Sequence, residues 1–340
     1  MKIGIVNDSN MATQAIASTL QSSPEHHVLW TAQNGPDAIR LCSENTPDLV
    51  LMDLVMPGMN GVETTRAIMR SCPTAILVVT ASVSLNCALA FQAMGAGALD
   101  VIATPTLASN DGRSGFLQKI AQLAVIIADP LPPAVLRPNH SHKTARAVHS
   151  TNNTLVAIGC SAGGPAALAE ILTALAPVER AAVVIIQHID ARFIDDLAGW
   201  LKGFCKDPLQ LVAEGDLIEP GRIYLAGKHG HLETQARSRL HYNPNLGGRA
   251  YQPSVDVFFA SIARTWRGRA LGAVLTGMGR DGATGLHAMR DAGFLTIAQD
   301  ENSSALFGMP KAAAPFASEI LSLSAIAPRI NQWIHSSPKI

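Results

Sequence analysis

Leu155-Val156-Ala157-Ile158-Gly159-Cys160-Ser161-Ala162-Gly163-Gly164-Pro165 is the stretch on which the reading of this chain turns. An apolar run ends in glycine, a serine follows, and two further glycines lead into a segment that can be helical. The spacing Gly159-x-Ser161-x-Gly163 is that of a sharp strand-to-helix turn which exposes a serine oxygen. Glycine suits such a turn because it tolerates unusual dihedrals and lets backbones pack closely. A serine placed there sits at a helix N-terminus, where unpaired N–H groups can face a developing negative charge. Two readings of the motif stand: Ser161 as a nucleophile, or a glycine-rich turn that cradles a phosphate. Two specific phosphate motifs are excluded. No Gly-Lys-Ser/Thr ending is present, and Ser161 occupies the second glycine position of a dinucleotide fingerprint.

Downstream, Ala181 to Ile186 reads as a buried strand followed by Gln187-His188. Arg269 to Leu275 reads as another, followed by Thr276-Gly277-Met278-Gly279-Arg280-Asp281-Gly282. Ser161, His188 and Asp281 thus all lie just past strand carboxyl ends, which share one edge in a parallel sheet, so all three can meet there. Taken singly, a histidine at a strand end is a structural residue and an aspartate beside glycine is a turn former. Their order, Ser, His, Asp, also differs from the Ser, Asp, His order of common α/β-hydrolases, so the turn motif alone does not assign that fold.

The chain has 340 residues, too many for one typical domain, and is 48% apolar, enough for two cores. A formal net charge of zero gives no overall pull toward nucleic acid or anionic lipid. No apolar run approaches a membrane span, and the N-terminus lacks a signal-peptide pattern. The five cysteines (Cys42, Cys72, Cys87, Cys160, Cys205) include no Cys-x-x-Cys pair, which fits a reduced cytosol and argues against a disulfide framework or a cysteine zinc site. The reading is of a cytoplasmic protein with no direct membrane insertion and no DNA partner.

Working toward the N-terminus, residues 129–153 cluster Pro130, Pro132, Pro133 and Pro138 with His140 and His142 and read as an extended linker. Residues 1–128 read as five strand–helix repeats. Strands are expected at Lys2 to Val6, Val28 to Ala32, Leu49 to Met52, Ala75 to Val79 and Leu99 to Ile102. Alternation of this kind implies a parallel sheet covered on both faces, a flavodoxin-like (βα)5 domain. Asn7, Asp8, Asp53 and Thr80 fall at its strand ends. Residues 154–340 form the second α/β domain, with a doubly wound parallel sheet.

The stretch Asp48-Leu49-Val50-Leu51-Met52-Asp53-Leu54-Val55-Met56-Pro57-Gly58-Met59-Asn60-Gly61 resembles that of a response-regulator receiver. The resemblance implies a phosphoryl group accepted by Asp53, Mg²⁺ held by Asp8 and Asp53, and a phosphoryl contact from Thr80. A carboxylate can attack phosphorus when Mg²⁺ neutralises the oxygens. Two positions depart from the family. Asn7-Asp8 stands where two acidic residues are usual, which weakens Mg²⁺ binding, and Thr104-Pro105 lacks the usual lysine, which removes a cation from the site. An unphosphorylated receiver used only for docking therefore stays open beside phosphorylation at Asp53.

Ile158 to Pro165, Gln187-His188, Pro253-Ser254-Val255-Asp256 and Leu275 to Ala283 together resemble the CheB family of chemoreceptor glutamate methylesterases over nearly the whole chain. The resemblance implies Ser161 as nucleophile, His188 as general base and Asp281 as the carboxylate orienting it, with no cofactor for the esterase. The amides of Ala162 and Met278 are the oxyanion candidates. Methyl-accepting chemoreceptors and a chemosensory histidine kinase are the implied partners. The receiver is expected to cover the catalytic cleft until it is phosphorylated. Deamidation of glutamine is chemically adjacent. Within the family, Asn7-Asp8 and Thr104-Pro105 look most like the methylesterases of Wsp-type surface-sensing systems. The competing classes are a non-catalytic signalling adaptor of a chemosensory complex, a small-molecule esterase, and a DNA-binding regulator, whose output domain would be smaller and basic.

Lesser features are read as structural. Asp256 is expected to cap the helix that starts at Ser254. His229 and His231, flanking Gly230 after Ile223 to Ala226, are expected in a surface loop, with lining of the cleft as the alternative. Cys160 is expected to be a packing residue. Arg237, Arg239, Arg249, Arg264, Arg267 and Arg269 are expected on a solvated face, with docking of an acidic receptor helix as the alternative.

Overall fold

Apolar runs bounded by polar turns become two parallel sheets. The computed structural model describes residues 1–82, 85–105, 110–128, 153–227, 230–244 and 252–336. They belong to two compact units, Met1–Leu131 and Pro132–Ile340. The expected linker, with His140 and His142, lies outside the described residues except for Asn153.

The first unit alternates β1 (Lys2–Val6), α1 (Asn10–Gln21), β2 (His27–Ala32), α2 (Gly35–Glu44), β3 (Leu49–Met52), α3 (Gly61–Ser71), β4 (Ala75–Thr80), α4 (Cys87–Gly95), β5 (Asp100–Ala103) and α5 (Asn110–Ala128). The sheet order is β2-β1-β3-β4-β5, parallel throughout. All four residues of β3 are buried, as expected of a strand covered on both faces. Polar caps set the helix starts: Ser9 for α1, Asn34 for α2, and for α3 a reciprocal box between Asn60 and Glu63. The strand order reverses between β1 and β3, which opens a crevice at their carboxyl ends. Asp8 and Asp53 emerge there.

The second unit contains β6 (Thr154–Cys160), α6 (Gly164–Ala174), β7 (Ala181–Gln187), α7 (Ile194–Lys202), β8 (Leu209–Leu211), β9 (Arg222–Leu225), β10 (His231–Gln235), β11 (Arg239–Asn243), α8 (Val255–Thr265), β12 (Arg269–Val274), α9 (Ala283–Asp291), β13 (Leu295–Gln299), α10 (Met309–Ala313), β14 (Glu319–Leu321) and α11 (Leu323–His335). Seven strands form a parallel sheet in the order β14-β13-β12-β6-β7-β9-β8. Here the order reverses about β6, with β7 on one side and β12 on the other. The hairpin of β10 and β11 stands apart from that sheet and packs on α8. Leu232, Leu240 and Tyr242 of the hairpin share one apolar cluster with Val255, Phe258, Phe259 and Ile262 of α8 and Leu286 and Met289 of α9.

Candidate active site

Cys160 and Gln187, the last residues of β6 and β7, are register partners. Ser161 and His188 therefore step off adjacent strands side by side, at the spacing of about 5 Å that strand pairing sets. The His188 N–H donates to the Cys160 carbonyl at 3.0 Å. The buried Gln187 carboxamide donates to the carbonyls of both Ser161 and His188 at 2.8 Å, tying the two residues together. From the other side, the Ser161 N–H donates to the Thr276 carbonyl at 3.1 Å. Both side chains are nearly enclosed: Ser161 is 7% exposed and His188 8%.

The turn after Ser161 requires its glycine. Gly163 has φ +77°, and a Cβ there would lie 2.6 Å from Ala305 Cβ and 3.0 Å from Thr276 Oγ1. The Thr276 hydroxyl donates to the Ala162 carbonyl at 3.0 Å and so sets the plane of the peptide that follows. Among the described residues, the amides of Ala162 and Met278 donate to no carbonyl.

Asp281 meets His188 through Oδ2, 2.8 Å from Nε2. Three further donors converge on the same carboxylate. The Val255 N–H reaches Oδ2 at 2.6 Å, and the Ser254 hydroxyl and Asp256 N–H reach Oδ1 at 2.7 and 3.0 Å. These groups are the N-terminus of α8, where unpaired amides and the helix dipole favour an anion. Burial pushes the Asp281 carboxyl up, but the hydrogen bond and charge of His188, then Ser254 and the Asp256 amide, outweigh it and hold the group down at about 2. The aspartate is a fixed anion at neutral pH.

The structure corrects the expectation for Asp256. It does not cap its own helix, a task that falls to Ser254, whose Oγ accepts the Val257 N–H. Asp256 Oδ1 instead accepts the N–H groups of Gly282 and Gly285, at 2.9 and 2.7 Å, at the start of α9. Each helix start thus also donates amides to an aspartate from the other's N-terminal segment, α8 to Asp281 and α9 to Asp256. Asp256→Ala is expected to lower domain stability by about 1–2 kcal/mol, read by urea denaturation.

His231 is likewise not in a surface loop. It opens β10, is fully buried, and its Nδ1 accepts the Ser254 N–H at 3.2 Å. His229 lies outside the described residues. Of the arginines, Arg237, Arg239, Arg264 and Arg267 are exposed, as expected, with Arg264 paired to Glu233 at 2.9 Å and Arg239 donating to the Gly215 carbonyl. Arg269 departs from that expectation: it is half-buried, binds the carbonyls of Trp333 and Ser336 and stacks on Trp333. Arg249 lies outside the described residues. Cys160 is buried, its Sγ donates to Gln187 Oε1 at 3.1 Å, and burial pushes its thiol far above the ordinary range, so it packs. Gln187 and Thr276 are the positioning residues that sequence reasoning missed. Their signal is only that each polar side chain adjoins a strand too apolar to leave it exposed.

In the first unit, Asp53 follows β3 and its Oδ1 accepts the Leu54 N–H at 2.7 Å. Burial, helped by the charge of Asp8, raises its carboxyl to about 6 against the pull of the Leu54 and Val55 amides. Two carboxylates repelling each other at one strand edge suit a cation such as Mg²⁺, which takes one or two carboxylates and completes its shell with water and phosphate oxygens. Asn7 adds no charge, and its Oδ1 accepts the Ser9 N–H at 2.8 Å. Thr80 is buried at the end of β4 and accepts a hydrogen bond from Asn86 Nδ2 at 3.0 Å. Lys119 does not replace the missing lysine, because it pairs at 2.7 Å with Asp100 at the amino end of β5, away from the site.

Residues 156–330 match the family model described as CheB methylesterase, and residues 3–110 that of the response regulator receiver domain. A protein-glutamate methylesterase/protein-glutamine glutaminase of Pseudomonas syringae pv. syringae is 47% identical over 335 residues, which cover 97% of this chain and 98% of the relative. A protein of the same description from Cupriavidus pinatubonensis is 45% identical over 337 residues, covering 98% and 97%. The crystal structure of the Thermotoga maritima CheB methylesterase catalytic domain aligns with a TM-score of 0.50 at 27% identity, covering 53% of this chain and 97% of that one.

Proposed function

The chain belongs to the CheB methylesterase family, and from that premise we propose that it hydrolyses glutamate γ-methyl esters on methyl-accepting chemoreceptors under the control of phosphorylation at Asp53. The observation that carries the reading is the His188–Asp281 bond of 2.8 Å, on a buried fixed anion, beside a serine on the neighbouring strand end. Nε2 of His188 donates to Asp281, so Nδ1 is the nitrogen that takes the Ser161 proton as Oγ attacks the ester carbonyl. Asp281 fixes that tautomer and stabilises the imidazolium. The amides of Ala162 and Met278 receive the tetrahedral oxyanion, and one such donor contributes on the order of 3–4 kcal/mol. The imidazolium protonates the departing methanol. Water, deprotonated by the same nitrogen, then attacks the acyl-serine and releases glutamate. A glutamine side chain offers the same carbonyl with ammonia as leaving group, so glutaminase chemistry uses the same groups.

Regulation rests on the first unit. A chemosensory histidine kinase is the proposed phosphoryl source, and the place of action is the cytoplasmic face of the receptors. No helix among the described residues is long and apolar enough to cross a membrane. Asp8 and Asp53 would hold Mg²⁺, which when bound neutralises phosphoryl oxygens. Asn7-Asp8 and Thr104-Pro105 support placing the protein with the methylesterases of Wsp-type systems. The test is methanol release from methylated receptor membranes with and without a small-molecule phosphodonor. Wild type is expected to respond by about fivefold or more, the scale of an ordinary coupling between sites, and Asp53→Ala not at all. An equal response in both proteins would remove Asp53 from the control of the esterase.

A further inference from the structure

We infer that His231 is a positioning residue of the esterase: through Nδ1 it anchors the backbone of Ser254, and with it the group of donors that fixes Asp281 against His188. The inference rests on the esterase reading above. His231 is fully buried, and the bond it accepts from the Ser254 N–H is 3.2 Å long. Accepting through Nδ1 puts the ring proton on Nε2. Ser254 is where the hairpin and the site meet. Its hydroxyl and the next two amides supply three of the four donors on the Asp281 carboxylate. His231 therefore stands two hydrogen bonds from Asp281 and three from the His188 ring.

The hairpin has other attachments to α8, and these separate positioning from simple packing. Thr234 N–H donates to Ser261 Oγ at 2.8 Å, Thr234 Oγ1 bonds Thr265 Oγ1 at 2.7 Å, and Arg264 pairs with Glu233 at 2.9 Å. All three hold the body of the helix. The His231 bond is directed instead at the helix start, where a shift of the backbone moves Val255 and Asp256 relative to Asp281. Such a shift leaves the ester-binding surface in place and misaligns the imidazole, so it lowers kcat and spares KM.

The experiment measures methanol release by full-length wild type, His231→Asn, His231→Gln and Thr234→Val, each with its circular dichroism and Tm. Asparagine presents Oδ1 where Nδ1 lies and is expected to keep kcat within about twofold, whereas glutamine places its oxygen beyond that point and is expected to lose about tenfold in kcat with KM unchanged. Thr234→Val is expected to lower Tm and leave kcat as in wild type. Equal kcat in the asparagine and glutamine variants, or kcat that simply follows Tm across the set including Thr234→Val, would overturn the inference. Should His231→Gln lose its folded signal, His231→Leu takes its place, and unfolding of both assigns the bond to folding and overturns the inference as well. Wild type without Ser161-dependent methanol release would overturn the esterase reading and this inference with it. An active wild type with indifferent variants overturns this inference alone.

Discussion

Ser161→Ala is expected to lower the rate of methanol release by about 10⁴-fold or more, the scale on which removal of a serine nucleophile acts in enzymes that work through an acyl-serine. The same change should leave the melting temperature close to that of wild type. Residue 161 holds the fold through its backbone: its N–H donates to Thr276, and its carbonyl accepts from the Gln187 carboxamide and from the Gly164 N–H. Alanine keeps all three bonds. Cys160 does not substitute, because its thiol is wholly buried and held protonated. Turnover retained by the alanine variant, on receptor membranes freed of other esterases, would refute the nucleophile assignment.

Asp281→Asn should lose on the order of 10³–10⁴-fold in kcat, because an amide neither holds the required histidine tautomer nor stabilises the imidazolium. Unlike the serine variant, it should also be less stable. The carboxylate accepts from four donors, and an asparagine turns an N–H group toward at least one of them. A buried donor left facing another donor loses about 1–3 kcal/mol. The pH dependence follows from the depressed carboxyl. A group held at about 2 when folded contributes stability that is complete above the ordinary carboxylate value and disappears as pH falls through that lower value. Thermal denaturation from about pH 4 down to pH 2 should therefore fall steeply in wild type and less steeply in the asparagine variant, which has no carboxyl to protonate there. Parallel curves would show that the folded protein does not hold the Asp281 carboxyl below its ordinary value.

Much of this was legible in the residues. The strands of both parallel sheets are apolar runs with polar residues at their carboxyl ends, and in such a sheet strand ends share an edge. That argument brings Ser161, His188 and Asp281 together without any side-chain geometry. The hairpin was not legible, and the reason is local. Its turn places Arg237 and Ser238 at φ +62° and +58°, where glycine or asparagine would be the usual signal, so nothing in the sequence marks a reversal. Without a marked turn no strand claims His231, and the residues around Gly230 read as a loop. Asp256 misled for a complementary reason. Capping rules consider the residues of one helix, whereas its partners Gly282 and Gly285 lie on another helix far along the chain. The same distance hid Gln187 and Thr276, whose hydrogen bonds span long stretches of sequence.

The exchange of aspartates between the starts of α8 and α9 bears on how such a chain can change over generations. Ser161 answers only to chemistry, so a descendant that had abandoned hydrolysis could replace it at once. Asp281 answers also to folding, since it binds the start of one helix while Asp256 binds the start of the other, and neither could be exchanged without loosening the helix it holds. An inactive descendant would keep its acid long after losing its nucleophile. Among kin of this protein, the serine is therefore the informative mark of a working hydrolase, and the aspartate testifies only that the two helices still meet.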